Sequence, residues 1–530
     1  MREENYTLVF ERYLIEAIKF FIYRLPRFLY ITLIRTIDIL VFNSHNDAKK
    51  NIDVRQADVD AVGQTILFNI VEFNHYQSHQ LMWLARDFKS QGHEVVVLNC
   101  SGGLDACEVK SSTNIFFPCF ECKLFGKLIP TLHQLRTIDI CGHGDSSFKD
   151  IKSLEIDRFL NTKAIAAHES VVRHYYGDNV KGLGYRRQLA RELASYERII
   201  GKFSDIVQKE NVSHVIANMF VYSTWAPQYD YSNFIGLKYT VISNTAYYNN
   251  RVVINRHNLY SSPNRWQNFL RDRSALPLNS DESAQLDSYL SRRITAKDSY
   301  ISRFQFEKYG INFENLSHKT ITFFSNIHWD IGLPSESQLF TSVIGWLVTS
   351  INEIHKADPE GELFNICVKV HPAEKLDTVK SKKGIASILM LELDESAFNR
   401  IKFITPNEKI SPYEAARASD LNVILNGTLG LELVLMGMKN VLIGGNAPYR
   451  FAVGQECFKM NDYIDALLLK REIPSIDNHL VKLFGFFYFV DQCIIWPYTD
   501  IAFGGTFHSS FMLQKRSKKH LDRLYSAVSS

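Results

Sequence analysis

The sequence predicts an α/β protein of two domains, each a parallel sheet wound with helices. Three observations predict it. From Lys319 to Gly445, short β-branched and aromatic runs alternate with amphipathic segments of helix length. A second stretch, opening at Gly63, has the same rhythm. The polar residues of the first stretch fall just after its strand-like runs, where an open α/β sheet keeps its ligand crevice.

The chain begins with its most apolar long segment, residues 8–42, in which Glu11, Arg12, Glu16, Lys19, Arg24, Arg27, Arg35 and Asp38 recur. No charge-free run is long enough to span a bilayer, and no small-residue cleavage site marks a secretory signal. Two amphipathic helices broken at Pro26 are expected, their basic-edged apolar faces suited to a membrane interface or to packing on the protein itself. Residues 46–62 read as a linker, so residues 1–60 form an extension before the first domain.

From Gly63, QTILFNIVEF reads as a strand, SHQLMWLARDFKSQG as a helix and HEVVVLNC as the next strand, one βαβ unit. The loop inside it offers Glu72 and His75 as acceptor-binding groups or general base. Cys100, Cys107, Cys119 and Cys122 follow at C-x6-C-x11-C-x2-C, half of the chain's eight cysteines. The reading is a structural zinc or Fe–S site set against buried free thiols, with reduced cysteines favoured over disulfides. Further on, ERIIGKFSDIVQKENVSHVIANMF reads as helix then strand, and NFIGLKYTVISNTAYYNNRVVI as short helix then strand. These place Asn218, Tyr222, Thr224, Asn244 and Arg251 at strand ends, Arg251 being the cation suited to an anionic sugar or phosphate. Residues 280–318 read as a long helix leading to the second domain.

In the second domain, Asn326, His328, Trp329 and Asp330 follow ITFFS; His371 and Glu374 follow ICVKV; Asn426, Gly427 and Thr428 follow NVIL; Gly444 follows NVLI. Gly427 permits a tight turn, Thr428 is placed to cap the next helix, and that helix's first N–H groups suit a phosphate. Glu432 lies one turn in, where a carboxylate reaches a ribose. Pro372 confines His371 to extended geometry at its strand end, an imidazole held for a phosphate or a leaving group. There is no GxxxxGK[ST] and so no P-loop signal, and no DxD-type acidic pair stands at a strand end of this domain. A near-balanced charge of +3 over 530 residues gives no nucleic-acid footprint.

The ordered set NIHWD at 326–330, Phe340 and Trp346, VKVHPAE at 368–374 and NGTLGLELVLMG at 426–437 resembles bacterial capsule and surface-polysaccharide biosynthesis proteins. These are GT-B glycosyltransferases related to the Kdo-transferring capsule enzymes, more distantly similar to polysialyltransferases and teichoic-acid glycerophosphotransferases. The resemblance is best over 319–455 and weaker over 64–260. It implies the GT-B fold, two Rossmann-like domains facing a cleft, with an acceptor domain at 61–310, a nucleotide-donor domain at 311–490 and a C-terminal segment, 491–530, crossing back to the first domain. It implies that His371 and Thr428 bind the donor's phosphate and that Glu432 lies near the nucleoside. It leaves the donor open among CMP-linked sugars, other nucleotide-sugars and CDP-glycerol; the expected donor is a nucleotide-sugar and the expected acceptor an oligosaccharide or lipid-linked glycan. The expected enzyme is a metal-independent transferase needing no cofactor for catalysis, cytoplasmic and peripheral to the inner membrane. A CDP-glycerol-type phosphotransferase and a non-catalytic GT-B-like assembly protein are the alternatives.

Overall fold

The computed structural model describes residues 63–71, 75–100, 102–107, 126, 130–131, 133–141, 160–175, 183–244, 251–255, 263–273, 276–295, 317–328, 339–340, 342–375, 381, 383–444, 459–473, 477–496, 524–525 and 528. The expected amphipathic extension, residues 1–60, lies outside them.

Strands β1 (Thr65–Asn69), β2 (Glu94–Asn99), β3 (Arg136–Asp139), β4 (Val212–Ala217), β5 (Lys238–Asn244) and β6 (Arg251–Asn255) belong to one sheet. A late strand, β12 (Cys493–Ile495), joins its edge in the order β12-β6-β5-β4-β1-β2-β3. The run β3-β2-β1-β4-β5 is parallel throughout, with β6 and β12 antiparallel additions. The strand TILFN is buried on both faces, which is why it reads as a continuous apolar run. The helices of this region are α1 (His75–Ser90), α2 (Leu160–Tyr175), α3 (Leu183–Lys209) and α4 (Tyr222–Ile235).

The second sheet is wholly parallel, β11-β10-β7-β8-β9, from β7 (Lys319–Phe324), β8 (Phe364–Lys369), β9 (Ile401–Ile404), β10 (Leu421–Ile424) and β11 (Val441–Ile443). Both sheets therefore reverse their strand order once, between β1 and β4 and between β7 and β10, the kind of point at whose carboxyl edge open α/β sheets keep their ligands. One face of the second sheet is covered by α7 (Val343–Ala357), α8 (Ile385–Glu392), α9 (Glu395–Asn399) and α12 (Met460–Leu467), with Trp346 and Tyr463 fully buried between them. The other carries α10 (Pro412–Arg417), α11 (Leu429–Leu435) and α13 (Asn478–Phe486). The class is α/β with two Rossmann-like domains, the plan that the GT-B resemblance implies.

Four features depart from the sequence reading. RVVIN is a separate antiparallel strand rather than the end of a helix–strand pair, its six preceding residues lying outside the described set. β3, from RTID, was not anticipated, because its half-exposed pattern carries no apolar run. Helices α5 (Pro263–Asp272) and α6 (Ser280–Ile294), counted with the first domain, place Trp266, Leu286 and Tyr289 in the core of the second sheet. The expected long helix from 280 ends at Ile294, after a start fixed by a capping box between Asn279 and Glu282.

After α13 the chain passes to the first sheet. Ile495 pairs with Arg251 and Cys493 with Val253, while Trp496, Leu524 and Val528 sit in that sheet's core with Phe68, Val97 and Ile254. The Tyr525 hydroxyl donates to Asp87 Oδ2 at 3.0 Å, and its ring packs edge-on to Phe88.

Candidate active site

The candidate site is the carboxyl edge of the second sheet at its reversal. Ser325, directly after β7, donates its backbone N–H and its hydroxyl to the Lys369 carbonyl at 3.1 and 3.2 Å, and its oxygen accepts the His371 N–H at 3.1 Å. This stitch holds the ends of β7 and β8 together. On the other side of β7, Gly427 has φ +104°, a backbone open to glycine and strained for other residues, and a Cβ placed there would lie 3.5 Å from Asn326 Nδ2. Asn326, His371 and the Gly427–Thr428 turn are thus gathered on three adjacent strand ends.

Each of them has a polar group to offer. Asn326 Oδ1 is buried and has no partner among the described residues. His371 Nδ1 accepts the Ala373 N–H at 3.2 Å, so the neutral ring carries its proton on Nε2. Burial first, and the nearby Lys369 charge second, push this imidazole down to about 4, so it is a neutral donor at physiological pH. Thr428 stands at the N-cap of α11 and makes no capping bond with its side chain, which corrects the expectation that it caps. Asn426 turns inward on its own loop, accepting the Gly427 N–H at 2.7 Å. Glu374 is engaged by Ser381, whose hydroxyl donates at 2.6 Å and whose N–H donates at 3.2 Å, so it braces the loop after β8.

Lys369 was missed by sequence reasoning. It ends a central parallel strand, 4% exposed, and burial pushes its ammonium down to about 8. The signal was available: in VKVHP, Lys369 and His371 share one strand face by the period of two, and a lysine in a strand paired on both sides breaks the apolar pattern.

Glu432 is not an open ribose acceptor. It is 1% exposed, and its Oε1 receives the Tyr289 hydroxyl at 2.7 Å and Arg293 Nε at 2.9 Å, while Oε2 receives the Tyr413 hydroxyl at 2.7 Å. Arg293, 139 positions away, is a partner that local spacing does not reveal. His328, also near the β7 end, is buried and bonds the Lys383 carbonyl through Nε2 at 3.0 Å. Trp329 and Asp330 lie outside the described residues.

In the first domain Glu72 lies outside the described residues, and His75, expected in the loop, is the first residue of α1. Asn244 ends β5 and Arg251 starts the antiparallel β6, which puts both at the carboxyl edge of the parallel strands. The reversal between β1 and β4 is lined by Asn69 and Asn218, both buried, Asn69 Nδ2 donating to the Tyr239 hydroxyl at 3.2 Å. Tyr222, at the start of α4, has φ +66°, a strained value for a non-glycine residue beside that edge. On α2, burial pushes the Glu169 carboxyl up to about 7.

The cysteines group differently from the sequence expectation. Cys100 Sγ lies 3.3 Å from Cys141 Sγ, a residue outside the predicted set, and that contact leads in lowering the Cys100 thiol to about 7. Cys107 is buried in the same apolar core, and Cys119 and Cys122 lie outside the described residues. Among the described residues no group of three or more His, Cys, Asp or Glu side chains is arranged to hold a metal ion.

No family model matches the chain, and no curated protein matches it. Among solved structures, it is similar to an α,α-trehalose-phosphate synthase (UDP-forming) from Burkholderia vietnamiensis, 10% identical over 81% of this chain and 95% of that one, at a TM-score of 0.25. It is similar to a structure described as a UDP-N-acetylglucosamine 2-epimerase from Listeria monocytogenes, 10% identical over 79% and 94%, TM-score 0.22. A tyrosyl-tRNA synthetase from Leishmania major also matches, 8% identical over 66% and 63%, TM-score 0.21. Likeness of this degree reaches a tRNA synthetase as readily as a sugar enzyme.

Proposed function

We propose that the protein is a glycosyltransferase that takes a sugar from a nucleotide-sugar, CMP-linked sugars among the candidates, to a surface-polysaccharide or lipid-linked acceptor. The observation that carries the reading is the meeting of Asn326, His371 and Thr428 where the second sheet reverses its strand order. In this reading the donor's phosphates lie against the His371 Nε2–H and the Thr428 hydroxyl, with the buried Lys369 charge behind them. Such groups stabilise the charge that builds on a leaving diphosphate or monophosphate. Asn326 Oδ1 accepts from a hydroxyl or amino group of the donor. The acceptor belongs to the first sheet's edge near Asn244 and Arg251, with the general base on the 72–75 stretch, and residues 8–42 hold the enzyme at the cytoplasmic face of a membrane. Among the described residues no helix is long and apolar enough to cross a bilayer.

A thermal-shift panel of CMP, CDP, UDP, GDP and their sugars tests the reading. A ligand that binds the folded state raises the melting temperature by mass action, so the base that shifts it names the donor class. The expected result is a shift with one base that is lost in His371→Ala. No shift with any nucleotide, in a protein that unfolds cooperatively, refutes the reading, and turnover of CDP-glycerol with phosphate in the product would replace it by a phosphotransferase.

A further inference from the structure

Cys100 follows β2 and Cys141 follows β3, neighbouring parallel strands that end at the same edge of the first sheet. Their sulfurs are 3.3 Å apart, and the two residues are 41 positions apart in the chain. The surroundings hold them there. Gly102 donates its N–H to Cys100 Sγ at 3.2 Å, and Asp139 Oδ1 accepts the Cys141 N–H at 2.8 Å. The intervening turn is tied to α3, where Arg198 Nη1 donates to the Gly103 carbonyl and Ser195 Oγ accepts the Ala106 N–H at 2.9 Å. Gly103 is a glycine because of this pair: a Cβ there would stand 2.8 Å from the Cys141 Cβ.

We propose that Cys100 and Cys141 are a dithiol built to close into a reversible disulfide across the β2–β3 edge. The step needs an approach of about 1.3 Å to reach a bond of ~2.05 Å, which rotation of two side chains on adjacent strand ends supplies. The oxidant is a low-molecular-weight disulfide such as oxidised glutathione. One of the two sulfurs, as thiolate, attacks a sulfur of that molecule; its S–S bond breaks and the first small thiol leaves with a proton. The second cysteine loses its proton and attacks the mixed disulfide, releasing the second small thiol. Two electrons pass from the cysteine pair to the oxidant. The bond links the ends of the two outermost strands opposite the β12 edge and closes the intervening loop, which restricts the unfolded chain.

The experiment uses the full chain, reduced and then equilibrated with graded ratios of reduced to oxidised glutathione, trapped by alkylation and mapped by peptide mass. The expected result is a cross-linked peptide joining Cys100 to Cys141, with the intact mass lower by two hydrogen atoms, reversed by a reductant. In Cys141→Ser, Cys100 should instead hold glutathione as a mixed disulfide. Gly103→Ala, by pushing Cys141 aside, should lower the yield of the cross-link several-fold at a given ratio. The proposal is overturned if both thiols stay alkylatable at every ratio in folded wild-type protein, or if the cross-link joins either of them to Cys119 or Cys122. It is equally overturned if reduced protein carries stoichiometric zinc by elemental analysis and Cys100 and Cys141 react only after chelation.

Discussion

Arg293 and Glu432 form a buried ion pair, Nε to Oε1 at 2.9 Å, between the last turn of α6 and the first turn of α11. With Tyr289 and Tyr413 on the same carboxylate, the pair binds the helix before the second sheet to the strand end that carries Gly427 and Thr428. Burial and the Glu432 charge both push the Tyr413 phenol up, so it stays a donor at any ordinary pH.

Removing one member leaves an uncompensated charge in the core, so Glu432→Ala and Arg293→Ala should each cost about 3–5 kcal/mol in denaturant unfolding. The double variant should lose much less than the sum, as one network predicts. If Glu432→Ala instead unfolds like the wild type and only weakens nucleotide binding, its role is ligand contact after all.

His371 folds with its imidazole lowered from 6.5 to about 4. Between these values the unfolded chain binds more protons, so the stability this residue contributes is complete above pH 6.5 and falls as the pH drops toward 4. His371→Gln should flatten that part of the stability curve by about 1–3 kcal/mol. A ring titrating near 6.5 by NMR in the folded protein would contradict it. Under the proposed function, His371→Ala should also cut transfer by ~100-fold with the fold intact.

Glu169 is the opposite case. Its folded carboxyl is raised from 4.5 to about 7, so its favourable contribution is full below pH 4.5 and is lost as the pH climbs to 7. Glu169→Gln removes that loss and should gain about 1–3 kcal/mol of stability at pH 8, read by urea midpoints, with little change at pH 4.5. Equal midpoints at pH 8 would place the carboxyl in water.

Asp358, 4% exposed, accepts the N–H groups of Glu362, Leu363 and Phe364 and pairs with Arg400 Nη2 at 2.7 Å. Burial opposes its charge, but the backbone donors and Arg400 overcome that and hold the carboxyl below 3.8. Its stabilisation is present above that value and lost as pH falls through it, so Asp358→Asn should destabilise by about 1–3 kcal/mol at pH 7 and progressively less toward pH 2.

What could be read beforehand divides along physical lines. The second sheet was legible because strands such as TITFF and ICVK are buried on both sides, and the helices between them keep an apolar stripe. Its carboxyl edge was marked by Asn326, His371 and Gly427, polar or turn-forming residues placed just where apolar runs stop, whereas the reversal of strand order between β7 and β10 follows from pairing and not from local pattern. Glu432 was misread because its spacing from Thr428 is local, whereas its partners come from α6 and α10 by tertiary packing. Cys141 escaped for the same reason: spacing arithmetic joined Cys100 to its near neighbours in sequence, and only the β2–β3 pairing joins it to a thiol beyond them.

The closing of the first sheet by β12 bears on the order in which the protein is made. Residues 65–255 leave the ribosome long before Cys493–Ile495, so during synthesis β6 waits with an unpaired edge while the second domain is still being added. Phe68, Val97 and Ile254 wait likewise for Trp496, Leu524 and Val528. A nascent chain in this state offers a β-edge beside exposed apolar surface, the combination that pairs wrongly with other chains. The first domain to be synthesised is in this sense the last to be finished, and a chain stopped at 490 should be a client of chaperones rather than a soluble fragment.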